Sequence, residues 1–339
     1  MGSRCDNPVP GATTAPPSGE RDRGDAAVTA VAEAADPFLH PALFYRDERE
    51  YLAAVVPFVH KGLAAGEPVA VAVPTENLRL LKAEIGAEQA VRFLDMREAG
   101  RNPGRIIPGV LRAFADAQPA GTRVRIVGEP IWAGRSATEY PACVQHEALI
   151  NAAFRGREVT ILCPYDTRRL DPQVVADAHA THPVVVDAGS GREEESGRYD
   201  FEGVHARYNA PLPPAPDVAA HAFVADVLGE IRHFASGAAE RFGLVRPRLD
   251  DLALAVAELT TNSVVHGGGS GLLRVWAEDG HVVCEVRDQG HLTDLLAGRR
   301  PPSRDRQGGR GLLMVNLVAD LVRVHTGPEG TTVRCWFAL

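Results

Sequence analysis

The sequence predicts two domains: an α/β domain with a mainly parallel sheet flanked by helices, then an α+β sandwich. Three observations lead there. Short runs that are apolar on both faces alternate with helix-length segments over the first half, the pattern of strands buried between helix layers. The last third opens with amphipathic helical patterns and continues into a hairpin signal. A Gly/Glu/Pro-rich stretch separates the two.

In the first half, residues 68–74, 91–96, 123–129 and 158–163 read as strands, with helices expected over about 45–65, 76–88, 106–118 and 137–155. Ligands of such folds bind beyond the carboxyl ends of the strands. The residues there include Thr75, Glu76, Asn77, Asp95, Glu129, Trp132, Tyr165 and Asp166. In the last third, a helix is expected over about 219–242, on the spacing of Phe223, Val227, Ile231, Phe234 and Ala238, and a second over about 249–266. Strands follow at 272–278 and 281–288, joined through Asp279-Gly280. A loop over 289–307, a helix over about 311–320 and strands at 321–326 and 331–338 complete a mixed, mostly antiparallel sheet with helices on one face. Residues 1–36 read as a disordered tail, 37–188 as the first domain, 189–217 as a flexible linker and 218–339 as the second domain.

Composition narrows the function. The 339 residues carry a net charge of −8, a field that repels phosphate backbones, so direct nucleic-acid binding is not expected. No apolar run approaches a membrane span and the N-terminal stretch lacks a signal-peptide core, so a cytosolic protein is expected. The cysteines at 5, 143, 163, 284 and 335 form no C-x-x-C pair and are odd in number, against a disulfide framework or zinc ribbon. The only lysines are Lys61 and Lys82, so a P-loop is absent and a protein-kinase β3 lysine has no candidate beyond residue 82.

Three separated motifs carry chemistry. Glu258, Asn262 and His266 recur at i+4 along one helix stripe, placing a proton-accepting carboxylate beside an amide oxygen suited to Mg²⁺. Asp288-Gln289-Gly290 ends a strand; its carboxylate can accept the exocyclic N–H of adenine, while Gly290 admits a close approach. Gly308-Gly309-Arg310-Gly311-Leu312 leads into a helix, where backbone N–H groups make a phosphate site. The arginines at 299, 300, 304 and 306 read equally as phosphate neutralisers or as a solvated lid.

In this order and spacing, the motifs resemble the GHKL (Bergerat) ATP-binding fold of gyrase, Hsp90, histidine kinases and MutL, and most closely the anti-sigma factor serine/threonine kinases of the RsbW and SpoIIAB type. The resemblance spans nearly all of 219–339, including Gly330-Thr331-Thr332-Val333. It implies ATP and Mg²⁺ as cofactors, Glu258 as catalytic base, Asn262 as Mg²⁺ ligand and Asp288 as adenine contact above Gly290. Gly308, Gly309, Arg310, Gly311, Leu312 and Thr331 would complete the nucleotide site. His291 and Leu292 follow Asp288-Gln289-Gly290, so the second glycine of the longer D-x-G-x-G form is absent. A histidine kinase is not expected, because 189–217 is too short and too rich in Pro and Gly for a phosphoacceptor helical hairpin. An Hsp90- or MutL-like clamp is not expected either, since it needs large downstream domains and Leu339 follows the last strand directly.

The first domain resembles the MEDS sensory domain over about 38–183, on His40-Pro-Ala-Leu-Phe-Tyr45, Gly100–Arg105, Gly128-Glu-Pro-Ile-Trp132, His146–Asn151 and Cys163-Pro-Tyr-Asp166. The fusion is similar to the RsbA family of anti-sigma regulators. This implies a switch protein that binds a sigma factor or a STAS-type anti-sigma antagonist and phosphorylates Ser/Thr on the antagonist, under control of a small-molecule signal. A catalytically silent, ATP-binding interaction module is the alternative, and kinases of this group often form homodimers. Glu129, Trp132, Glu147 and Asp166 are the candidate ligand-sensing residues. Cys143 and His146, with His40, Cys163, His179 and His182, are metal-ligating types, but packing and capping account for them more simply.

Overall fold

A computed structural model describes residues 36–86, 90–301 and 309–339. The expected N-terminal tail thus lies almost wholly outside the described residues. No helix among the described residues is long and apolar enough to cross a membrane.

The first domain runs β1 (Pro41–Tyr45), α1 (Glu48–Ala64), β2 (Val69–Val73), α2 (Thr75–Ile85), β3 (Val91–Asp95) and α3 (Met96–Ala99). After a 3₁₀ turn at Pro103–Arg105 and a π-helical turn at Ile107–Leu111 come α4 (Arg112–Ala115), β4 (Val124–Gly128), α5 (Tyr140–Phe154), β5 (Val159–Asp166), α6 (Pro172–Thr181), β6 (Val184–Asp187), β7 (Arg192–Glu195) and α7 (Phe201–Tyr208). The sheet order is β3-β2-β4-β5-β1-β6-β7, parallel except for the antiparallel edge strand β7. Strand β2 shows why it sits between layers. Val69, Val71 and Val73 pack with Tyr51, Val55 and Leu81 of α1 and α2, whereas Ala70 and Ala72 join the core that includes Ala148 of α5. Alternate side chains serve opposite layers. Helix α1 starts where the Asp47 carboxylate accepts from the Glu50 N–H at 2.9 Å. The helix expected over 106–118 is present to Ala115, but it begins as a wider π-helical turn at Ile107–Leu111, with Pro108 in the first turn, where a missing N–H is tolerated.

The expected flexible linker needs correction. Within 189–217, β7 extends the sheet and α7 packs on the domain, with Val204 fully buried and Tyr208 edge-on to Tyr140. Backbone ladder bonds form regardless of the charge on Glu193–Glu195, which suits an exposed edge. The composition of the segment masks the apolar spacing of Phe201, Val204 and Tyr208. The longest stretch here without helix or strand is 209–220.

The second domain runs β8 (His221–Val224), a 3₁₀ turn (Ala225–Val227), α8 (Leu228–Arg241), α9 (Arg248–His266), β9 (Ser270–Glu278), β10 (His281–Asp288), α10 (Gly311–Val318), β11 (Leu321–Gly327) and β12 (Gly330–Ala338). Its antiparallel sheet has the order β11-β12-β10-β9-β8. The helix expected from 219 therefore begins only at 228. Phe223 is buried between exposed Ala222 and Val224, a period of two, and it faces Gly271, where any Cβ would lie 2.5 Å from its ring. One sheet face packs on α8, α9 and α10. On the other face, Trp276, Val283 and Trp336 pack against Ala142 of α5.

Candidate functional site

The three motifs of the second domain border one cavity of about 720 Å³. Asn262, Ser263 and His266 of α9, Asp288 at the end of β10, Gly290, and Gly309, Arg310, Gly311 and Leu312 at the start of α10 line it, with Thr331 of β12. Glu258 lies one turn before Asn262 and is half-buried. The two side chains meet at Gly311. A Cβ there would lie 2.8 Å from Glu258 Oε2 and 3.0 Å from Asn262 Nδ2. Carboxylate, carboxamide and helix N-terminus thus converge on a point that only glycine leaves open.

The opposite end of the cavity is held by Asp288. Its Oδ2 accepts from Ser263 Oγ at 2.6 Å and its Oδ1 from the Gly290 N–H at 2.8 Å. Three glycines make room for Asp288 and the turn that follows it. A Cβ on Gly267 would lie 2.4 Å from Asp288 Cγ, one on Gly290 would lie 2.7 Å from the His266 carbonyl, and Gly330, at φ +111°, would meet the Asp288 carbonyl at 1.9 Å. Thr331 Oγ1 donates to the Gly290 carbonyl at 2.8 Å, tying β12 to the same turn. Sequence reasoning missed Ser263 and Gly267. The Gly267-Gly268-Gly269 run after His266 is the visible signal for the second; for Ser263, only its place next to Asn262 hints at a role.

Of the remaining sequence candidates, Gly308, Arg304 and Arg306 lie outside the described residues. Arg299 departs from both readings made of it. It is buried, donates to the Pro103 carbonyl at 3.1 Å, and burial pulls its guanidinium down to about 10. Leu296 packs into the core of the first domain. Asn102 Nδ2 donates to the Asn316 carbonyl of α10 at 2.9 Å, and Arg101 pairs with Asp320 at 2.5 Å. Arg112 and Asp116, which follow the π-helical turn, line the large cavity themselves. No feature of the sequence placed first-domain residues there.

A second cavity, of about 90 Å³, opens at the carboxyl ends of the parallel strands. Glu129, Trp132 and Asp166 line it with Tyr45, Asn77 and Arg169. Arg135 stacks on Trp132 at 3.8 Å. Asn77 Nδ2 donates to both Glu129 oxygens, at 3.0 and 2.8 Å. Burial raises the Glu129 carboxyl from 4.5 to about 8, against the lowering effect of the Asn77 and Tyr51 hydrogen bonds. Folding therefore favours protonated Glu129. The stability this contributes is fully present below about pH 4.5 and is lost as pH rises through about 8. Denaturant melts at pH 5 and pH 8.5 should show Glu129→Gln losing less stability than wild type, the difference being on the order of a few kcal/mol. Equal losses would contradict this account of Glu129.

The fourth sensing candidate, Glu147, belongs elsewhere. Helix α5 is enclosed on nearly every side, and Glu147 lies buried beside His40, Cys163 and His182, outside the small cavity. Cys143, His146 and His179 stand apart from that cluster, His179 tilted against Phe44 at 4.8 Å between ring centroids.

Comparison with known proteins agrees with this division. Residues 39–183 match the model of the MEthanogen/methylotroph, DcmR Sensory (MEDS) domain, and residues 224–337 match that of the histidine kinase-like ATPase domain. The chain is 33% identical over 112 residues to the serine-protein kinase RsbW of Halalkalibacterium halodurans, covering 29% of this chain and 68% of that protein.

Proposed function

We propose that this chain, which belongs to the family of anti-sigma regulators that join a MEDS sensory domain to a GHKL ATPase domain of the RsbW type, binds ATP in the large cavity and phosphorylates a serine or threonine of a partner protein. The observation that carries the reading is the meeting of Glu258, Asn262 and the start of α10 at Gly311. A cavity of about 720 Å³ suits a nucleotide.

Each group has a task its chemistry allows. Asp288, fixed by Ser263 and the Gly290 N–H, presents an acceptor to the adenine amino group. The first-turn N–H groups of α10 have no intrahelical partners, and Gly309 and Gly311 put no side chain before them. Asn262 would hold Mg²⁺, which when bound neutralises charge on the β- and γ-phosphates. Glu258 accepts the proton of the incoming hydroxyl as that oxygen bonds to phosphorus and the bond to the ADP oxygen breaks. Phosphoryl transfer asks mainly for positioning and electrostatics, which fits so sparse a set of groups.

The partner is a sigma factor or a STAS-type anti-sigma factor antagonist, the antagonist receiving the phosphate, and the output is regulated transcription without direct contact to nucleic acid. The first domain acts on this centre through Arg112 and Asp116 at the cavity and through the seat it provides for Leu296 and Arg299. A small molecule in the pocket around Glu129 supplies the signal.

Incubation with γ-labelled ATP and candidate antagonists tests the reading. Label should appear on an antagonist serine or threonine, and Asn262→Ala should weaken Mg·ATP binding by about tenfold or more, the loss of a charge-linked contact of about 1.5–3 kcal/mol. ATP binding without transfer to any antagonist would leave a binding-only role. No calorimetric response to ATP would sink the proposal.

A further inference from the structure

Away from both cavities, four side chains from separate parts of the first domain meet in its interior. They are His40 just before β1, Glu147 in α5, Cys163 in β5 and His182 just after α6, and none is more than 1% exposed. Glu147 Oε2 lies 3.4 Å from His40 Nε2 and 3.3 Å from His182 Nε2, and Cys163 Sγ lies 3.4 Å from His40 Nε2. All four ligand atoms fall within 4.8 Å of one another.

The surroundings decide which nitrogens carry protons. Asn151 Nδ2 donates to the Thr181 carbonyl at 2.8 Å and the Ala148 carbonyl at 3.2 Å, so its Oδ1 is the atom that faces His40 Nδ1 at 3.1 Å. That nitrogen must therefore donate. His182 Nδ1 must donate too, because its partner at 2.8 Å is the Ala178 carbonyl. In the neutral form each ring then has only an Nε2 lone pair to offer the nearby carboxylate, which is acceptor-only. Both Glu147 oxygens and His182 Nε2 are buried without a hydrogen-bond partner. Acceptors this close and this dry repel one another unless a cation lies between them.

We propose that these residues bind a divalent transition-metal ion, with Zn²⁺ the best fit, in a closed His₂-Glu-Cys site. An ion bonded tetrahedrally at about 2.0–2.3 Å holds its ligands about 3.3–3.7 Å apart; the His40–Glu147, His182–Glu147 and His40–Cys163 pairs already lie at 3.3–3.4 Å, and all four ligand atoms lie within 4.8 Å of one another. Imidazole and thiolate disfavour Mg²⁺ and Ca²⁺, which prefer oxygen. Asn151 and the Ala178 carbonyl serve as the outer partners that metal-ligating histidines require. With no exposed ligand the site is structural, joining β1, α5, β5 and the end of α6. Helix α5 also carries Ala142, which packs on Trp276 and Trp336 of the second domain, so the ion steadies a helix that both domains share.

The test uses the full chain. Elemental analysis of protein purified without chelator should find about one zinc per chain. After chelation, Co²⁺ titration should give intense tetrahedral d–d bands and a thiolate charge-transfer band. Cys163→Ser should remove the charge-transfer band and Cys143→Ser should keep it. Glu147→Gln and His182→Gln should cut stoichiometry to below about a tenth, while Asn151→Ala should weaken affinity about 10- to 100-fold. Wild type alone keeps the proposal falsifiable should a variant fail to fold. A folded wild-type chain without zinc and without a Co²⁺ spectrum would overturn it, leaving a shared proton as the cation. A thiolate band that persists in Cys163→Ser would overturn it equally.

Discussion

Glu258→Gln should lower phosphoryl transfer to a serine- or threonine-bearing antagonist by about 10²–10⁴-fold and leave ATP affinity nearly unchanged. The two side chains are almost the same size, so the contact with Gly311 survives and the α9 stripe keeps its shape. What disappears is the proposed base: an amide cannot take the hydroxyl proton, while in the proposed site binding rests on Asp288, Asn262 and the start of α10. Single-turnover transfer from labelled ATP, with calorimetry in parallel, separates the two effects. Matching losses in affinity and rate would make Glu258 a binding group; no loss in either would remove it from the reaction.

Gly311→Ala is expected to separate stability from activity in the opposite way to most glycine substitutions. Position 311 begins α10, and alanine in a helix is favoured over glycine by about 1 kcal/mol, so the thermal midpoint should hold or rise. The added methyl would nevertheless lie 2.8 Å from Glu258 Oε2 and 3.0 Å from Asn262 Nδ2. Both are ends of flexible side chains, so they move aside at little cost to the fold. Displacement of the proposed base and Mg²⁺ ligand is costly for chemistry, where a misplacement of about 1 Å is worth about 100-fold. Transfer should fall by about that factor with the melt unchanged. A fall in both together would indicate that Gly311 serves packing. Gly330→Ala is the contrasting case, since its methyl meets backbone at 1.9 Å from a left-handed φ of +111°, and both stability and binding should fall.

Much of the second domain was legible because its chemistry is local. Glu258, Asn262 and His266 share a stripe through helix periodicity alone, and Asp279-Gly280 sets the β9–β10 hairpin where expected. The parallel strands of the first domain were legible for a related reason: runs apolar on both faces have few other places to go. Segments whose structure depends on distant partners were not. Strand β8 exists because Phe223 finds a gap over Gly271, and β7 because β6 offers an unpaired edge. Glu147 read as a ligand-facing residue, since nothing near it in the chain announces two histidines and a cysteine from other elements.

The sequence by itself determined the two-domain fold class and the kinship with the RsbW-type ATPases, because periodicity, glycine placement and motif order are properties of neighbours along the chain. Tertiary structure alone decided that Arg112 and Asp116 reach the nucleotide-sized cavity, that Arg299 turns away from it into the first domain, and that four buried acceptors surround one point. Those outcomes depend on which surfaces meet after the elements pack, and burial, which sets the strength of every such contact, exists only once they have.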